Sequence, residues 1–200
     1  MGEGDLAPYK SIARQQKAWI CFLDESGQSL RPPRGRTWAR RGQTPIVHVT
    51  GKGSGRVSLA GLVCVKPGQR TRLVYRAIAY HGRKGEKKGF GIPELQALVR
   101  SAHHLLRGPI VVVWDNLSAH VGPTMRTFID AHAEWLTVFR LPAYAPELNP
   151  AEGVWANLKG KLINLAPRSL DQCRLTGYVY QGAERKAGSP WLRACPLPRR

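Results

Sequence analysis

The feature that most constrains this chain is a five-residue run, Ile110, Val111, Val112, Val113 and Trp114, followed at once by Asp115 and Asn116. Four consecutive β-branched residues favour extended backbone. An apolar run without alternation fits a strand covered on both faces, as in a sheet flanked by helices. A buried strand that ends on a carboxylate places that carboxylate at the sheet rim, where ligands of such sheets collect.

The surroundings extend this reading. Residues 19–23 (Trp19, Ile20, Cys21, Phe22, Leu23) form a second short apolar run that ends at Asp24, Glu25, Ser26 and Gly27, and reads as a strand running into a turn. Residues 57–65 and 73–80 read as two more strands, with Pro67 and Gly68 as the turn between them. Residues 31–45 are basic, with Pro32, Pro33, Gly35, Gly42 and Pro45, and suggest a strand pair with loops. Residues 81–91, rich in Gly and Lys, read as a mobile loop. From Pro93 the period changes to a helical one, with Leu95, Leu98, Val99, Ala102, Leu105 and Leu106 on one face. Pro123 opens another helix carrying Met125, Phe128, Ile129 and His132. A short strand covers 136–139, a Pro-rich loop 142–150, and a helix about 150–163. Strands first, then helix, strand, helix, strand, helix: the expected class is α/β, a mixed sheet flanked by helices.

Charge narrows the partner. The chain has 31 Lys and Arg against 13 Asp and Glu, a net of +18 over 200 residues. A surface lying along phosphates gains from that excess through counterion release. Anionic membranes and ribosomal RNA would ask for the same charge. The four cysteines, at 21, 64, 173 and 195, lack zinc spacing and read as reduced thiols of a cytosolic protein. The first ten residues lack a signal-peptide pattern, and no apolar run approaches the length of a membrane span.

Acidic residues are scarce, so their positions carry information. Asp24 ends the first strand, Asp115 the most apolar one, and Glu152 lies in the first turn of a helix. Carboxylates gathered in one pocket repel unless a cation joins them, and hard oxygen donors suit Mg²⁺ or Mn²⁺. Two such ions can activate a water or a 3′-hydroxyl against a phosphodiester. Structural readings stand beside these. Asp24 could belong to an Asp/Gly turn and Asp115 to a turn after the strand. Glu25 reads as a neighbour rather than a ligand. Asn149 and Glu152 around Pro150 form a capping-box-like arrangement. His120 could orient a group of the site, contact DNA, or sit on the surface. His103 and His104 point in different directions. Residues 51–55 lack phosphate-loop spacing. Trp155 and Leu158 read as core residues, and so does Trp38, with base stacking as its alternative.

Four segments, residues 22–27, 36–45, 113–120 and 141–155, resemble the DDE superfamily endonuclease domain, and more closely insertion-sequence transposases related to the mariner group. The resemblance covers roughly residues 19–165. Its most specific parts are Asp115-Asn116 followed by His120, and Tyr144-x-Pro-x-Leu-Asn149-Pro-x-Glu152-x-x-Trp155, with 36 residues between Asp115 and Glu152. It implies an RNase H-like fold, a metal site of Asp24, Asp115 and Glu152 holding two Mg²⁺ or Mn²⁺ ions, and cut-and-paste transposition by DNA cleavage and 3′-hydroxyl strand transfer. Asn116, His120 and Asn149 are expected to support that site. Arg34, Arg36, Arg40, Arg41, Lys52, Lys87, Lys88 and Lys159 are expected to contact DNA. The implied partners are the double-stranded DNA of element ends and target, and a second copy of the chain in that DNA complex. A membrane and a small-molecule substrate are not expected. The expected location is the bacterial cytoplasm, on the nucleoid when DNA-bound.

Two departures from the family pattern shape the domain reading. Only about eighteen residues precede the first strand, so residues 1–18 are read as a remnant or linker without the usual helix-turn-helix, and terminal-repeat recognition is expected to be absent. Residues 19–170 are read as the catalytic domain. Residues 171–200 form an irregular basic tail, of the kind a frameshift would leave. The alternatives are an inactive, truncated remnant that only binds DNA, and an RNase H-type hydrolase of RNA–DNA hybrids.

Overall fold

A computed structural model describes residues 7–29, 35–36, 38–46, 48, 55–142 and 146–163. The expected tail, with Cys173 and Cys195, lies outside these residues, as do Arg34 and Lys52. The elements, in order, are α1 (Ala7–Gln15), β1 (Trp19–Ser29), β2 (Arg56–Val65), β3 (Arg72–Tyr80), α2 (Ile92–Leu106), β4 (Ile110–Trp114), α3 (Ser118–Val121), α4 (Pro123–Asp130), β5 (Leu136–Arg140), a single 3₁₀ turn (Pro146–Leu148) and α5 (Pro150–Lys161). The five strands form one sheet in the order β3-β2-β1-β4-β5.

The sheet is mixed, as expected. β4 runs parallel to both β1 and β5. β2 and β3 are neighbours joined by a short turn, which only an antiparallel pair allows. In that turn Gln69 N donates to the Lys66 carbonyl at 3.0 Å, and Gly68 takes the left-handed conformation (φ 74°) that residues with a Cβ avoid. All five residues of β4 are buried, in keeping with a central strand covered on both faces. β2 is buried at every position from Val57 to Val65 rather than alternating, so it too is a covered strand.

The chain divides into two compact units: residues 1–25, 60–76 and 90–152, and residues 26–59, 77–89 and 153–200. The hydrophobic core of the first is built from Leu23, Leu62, Leu95, Leu98, Val99, Val112, Trp114 and Met125, among others. Each such side chain contributes roughly 1.5–3 kcal/mol when fully buried. The α2 positions that the helical period selects, Leu95, Leu98, Val99, Ala102 and Leu106, are all buried. Leu105, at the edge of that stripe, stays exposed. The Glu94 carboxylate accepts from the Gly91 amide at 3.0 Å and fixes the start of this helix.

Several segments differ from the sequence expectation. Residues 7–15, within the stretch expected to be a remnant or linker, form helix α1. Tyr9 and Ala13, four residues apart, are its buried positions, and Tyr9 packs edge-on to Phe22 with ring centroids 6.0 Å apart. β1 does not end at Asp24 but continues to Ser29. Its burial is complete through Leu23 and partial beyond, so the apolar run marks the covered stretch and not the strand. Among the described residues of 31–45 no strand forms. A turn at residues 41–42, with Gly42 at φ 81°, carries a bond from Gln43 N to the Arg40 carbonyl at 3.0 Å. Trp38 is not a core residue: it is fully exposed.

The segment at 81–89 is tied down by hydrogen bonds rather than left loose. Glu86 accepts from the His81 amide (2.7 Å), the Arg83 amide (3.2 Å) and His81 Nδ1 (2.8 Å). The Lys88 carbonyl accepts from Ser58 Oγ (3.0 Å) and from Nε of Arg56 (2.8 Å). Trp155 and Leu158 of α5 are buried, as expected. No helix among the described residues is long and apolar enough to cross a membrane.

Candidate active site

The first unit holds all three expected acids, and the sheet register places two of them. β1 and β4 pair Trp19 with Ile110 through Phe22 with Val113. The same offset, carried on past Leu23 and Trp114, brings Asp24 of β1 level with Asp115, the residue after β4. Leu23 and Trp114 are buried to 1% exposure, whereas Asp24 and Asp115 are partly exposed. The two carboxylates therefore mark the step from packed core to rim. The Asp24 carboxylate accepts from the amide of Glu25 at 2.8 Å.

Asp115 is held from its own following loop. Its Oδ1 accepts from the Leu117 amide at 3.2 Å and from His120 Nδ1 at 2.8 Å. His120 sits on the short helix α3, which the sequence reading did not foresee. It is not a surface residue but a buried one, at 2% exposure. Its ring stacks on Trp114, with centroids 4.6 Å apart and planes 9° from parallel.

Asn116 connects the rim to the segment that leads toward Glu152. Its Nδ2 donates to the Leu141 carbonyl at 3.0 Å, and Leu141 N donates to the Trp114 carbonyl at 2.7 Å. The residue after β5 is thus pinned to the end of β4. Asn149, buried, caps α5: its Oδ1 accepts from the Ala151 amide at 3.1 Å. Glu152 is exposed, and its carboxylate has no hydrogen-bond partner among the described residues. The capping that the sequence allowed to Glu152 is done by Asn149, which leaves Glu152 available.

Glu25, read from the sequence as a bystander, joins the acids electrostatically. Its carboxyl is raised above the ordinary value of 4.5, first by partial burial, then by the charges of Asp115 and Asp24. Its place directly after Asp24 was the available signal, but alternation along a strand argues that adjacent residues face opposite ways. The structure thus brings Asp24, Glu25 and Asp115 within electrostatic reach. It does not gather Glu152 with them: among the described residues no three His, Cys, Asp or Glu side chains are spaced to hold a metal ion. The donor set fits a divalent cation all the same. Hard carboxylate oxygens that repel one another are what such a cation would bind and neutralise.

The basic residues expected to meet DNA fall in the second unit. Arg36, Arg40, Arg41, Lys87, Lys88 and Lys159 are all exposed. The Lys88 ammonium also lies over the Tyr80 ring, 5.9 Å from its centroid. His103 is structural, stacked on Trp135 at 4.0 Å with Nδ1 against the Gly108 carbonyl at 3.0 Å.

Comparison with known proteins identifies the family and the fold. A family model described as DDE superfamily endonuclease matches residues 19–174. The mariner Mos1 transposase paired-end complex with Mg has a TM-score of 0.61 at 15% identity, covering 92% of this chain and 54% of that one. The isolated catalytic domain of Mos1 mariner transposase has a TM-score of 0.52 at 14% identity, covering 96% of this chain and 87% of that one. The Mos1 strand transfer complex has a TM-score of 0.59 at 15% identity, covering 87% of this chain and 49% of that one. The chain therefore spans about half the length of the transposase chains in those DNA complexes. No curated protein matches. The mixed sheet flanked by helices is the RNase H-like fold of that catalytic domain.

Proposed function

From the premise that the chain belongs to the DDE superfamily of endonucleases, we propose that it is the catalytic part of an insertion-sequence transposase. It would cut double-stranded DNA at element ends and join the freed 3′-hydroxyl to target DNA. The observation that carries this reading is the β1–β4 register, which, carried on past Leu23 and Trp114, sets Asp24 level with Asp115 in a rim where acid repels acid.

Asp24, Asp115 and Glu152 are the residues that would hold Mg²⁺ or Mn²⁺, two ions in all. When bound, these ions supply Lewis acidity toward the attacking hydroxyl and the leaving oxygen of the phosphodiester. The chain's own residues do the rest. Asn116 holds the start of the Leu141 segment against β4, and Asn149 caps α5 so that the Glu152 carboxylate stays unengaged. Arg36, Arg40, Arg41, Lys87, Lys88 and Lys159, with Arg34 and Lys52, would lie along DNA phosphates. The catalytic domain runs from residue 19 to about 170, with residues 1–18 as a lead-in that contributes α1 and residues 171–200 as a basic tail. The Mos1 complexes on a transposon end and in strand transfer support DNA as substrate, and the working form we propose is a homodimer. We place the protein in the bacterial cytoplasm, on the nucleoid when DNA-bound.

The test is a cleavage and strand-transfer assay on end-labelled duplex in Mg²⁺ and in Mn²⁺. Asp24→Asn, Asp115→Asn and Glu152→Gln serve as comparisons. Metal-dependent nicking lost in all three variants supports the reading. Salt-sensitive DNA binding without nicking in either metal would leave only a DNA-binding remnant. Preferential cutting of an RNA–DNA hybrid would make the chain an RNase H-type hydrolase instead.

A further inference from the structure

The carboxylate of Asp115 is engaged on one side only. Oδ1 accepts two hydrogen bonds, from the Leu117 amide and from His120 Nδ1, while Oδ2 accepts none among the described residues. A carboxylate can only accept from the ring, so His120 carries its hydrogen on Nδ1. The other ring nitrogen, Nε2, is buried with no partner among the described residues, so the ring's one side-chain polar link is to Asp115. A second, longer approach of Nδ1 to the Asp115 backbone carbonyl, 3.3 Å, keeps the ring against the same residue. Burial and the parallel stack on Trp114 fix the plane of the ring. Trp114 is itself in β4, immediately before Asp115. The end of one strand and the residue after it thus supply the wall that orients the donor and the carboxylate.

We infer that His120 is a positioning residue that sets the rotation of the Asp115 carboxylate, holding Oδ1 inward and leaving Oδ2 to meet a divalent cation. A buried, stacked donor does this better than water, because a freely turning carboxylate would have to be ordered each time an ion binds. Partners of metal-binding side chains typically account for about 10–100-fold in metal affinity or activity. The inference rests on the metal-dependent reading given above.

The test uses the full chain without DNA and two readouts. The first is the ¹⁵N spectrum of the imidazole side chains in the metal-free protein, expected to show the His120 proton on Nδ1. The second is Mn²⁺ binding by calorimetry. His120→Phe keeps the stack on Trp114 and removes the donor. It should keep the melting temperature close to that of the unsubstituted chain while losing about 10–100-fold in Mn²⁺ affinity. His120→Asn places an amide donor near the Nδ1 position and should restore most of that loss. His120→Gln, whose amide reaches toward the Nε2 position, should not. The Asn and Gln pair keeps the contrast measurable if the Phe variant fails to fold. A proton found on Nε2, or Mn²⁺ affinity unchanged in His120→Phe, overturns the positioning role and leaves the proposed function standing. No Mn²⁺ uptake by the unsubstituted chain overturns the metal-dependent reading, and the positioning role falls with it.

Discussion

The two compact units differ most in charge. The segments of the second unit contain 20 of the 31 Lys and Arg but only 3 of the 13 Asp and Glu. The first unit holds the remaining 11 basic and 10 acidic residues and is close to neutral. It has the large apolar core, and its acids include Asp24, Glu25 and Asp115 of the candidate site as well as Glu152. The net charge of +18 is therefore not a property of the enzyme body. It belongs to the segments of the second unit. A near-neutral unit can hold carboxylates close together with few basic side chains of its own to offset their pull on a cation. Basic segments can meet phosphates without carrying chemistry.

The division is tested first by separating cutting from binding. Asp115→Asn should lower DNA cleavage by on the order of 10³-fold or more, since several kcal/mol of charge stabilisation depend on the bound metal. It should leave DNA affinity unchanged or slightly tighter, because it removes a negative charge. Replacing Arg36, Arg40 and Arg41 together with Ala should do the reverse. Binding should weaken across all sequences, and the slope of log affinity against log salt should drop by about one per lost phosphate contact. Mn²⁺ uptake should be unaffected. Filter binding over a salt series, with cleavage measured at saturating protein, reads both. If the acid variant loses DNA affinity as steeply as the triple Arg variant, the two roles are not divided between the units.

The sequence carried the first unit better than the second, for physical reasons. β4 and α2 are legible because burial on both faces or on one stripe leaves a strong apolar pattern. Asp115 is legible because it directly follows such a run. β1 shows where patterning stops short: its apolar residues end at Leu23, yet the backbone pairing runs on to Ser29, since a strand needs neighbours for its hydrogen bonds and not apolar side chains. α3 has only four residues, too few to show a period. Its one informative residue, His120, is set by a partner five positions back. Trp38 misled because a large aromatic is ordinarily buried. The involvement of Glu25 with Asp115 depends on two strands lying side by side, and no local pattern encodes that.

Glu25 offers a smaller test of the first unit. Its raised pKa means that the folded chain holds the proton more tightly than the unfolded chain does. Ionised Glu25 therefore costs stability, and the cost sets in as pH rises past the ordinary value of 4.5 and is complete above the raised value. Glu25→Gln should raise the melting temperature of the metal-free chain at neutral pH by on the order of a degree or two. It should change little below pH 4. Added Mg²⁺ should shrink the gain, because a cation neutralises the same repulsion. A gain that is equal at both pH values would assign the effect to packing rather than charge.

Glu86 gives the smallest effect and the opposite sign. It is the only Asp or Glu among the described residues of the second unit. Desolvation acts against its charge, but hydrogen bonds from the His81 ring, the His81 amide and the Arg83 amide, with the charge of His81, outweigh it and lower its pKa. The folded chain thus holds this proton less tightly than the unfolded one. The stabilisation is present above the ordinary value of 4.5 and is lost as pH falls through the lowered folded value. With the group at the surface, global unfolding should not register this, so the measurement is local: hydrogen exchange at the His81 and Arg83 amides, corrected for the intrinsic pH dependence of exchange. Protection should fall as the carboxylate is protonated. Glu86→Ala should abolish it, and Glu86→Gln, which keeps one acceptor oxygen but no charge, should fall between. If Glu86→Ala leaves both amides protected, the backbone of this basic segment is shaped without its acid. Lys87 and Lys88 would then owe their placement to the Arg56 and Ser58 contacts with the Lys88 carbonyl alone.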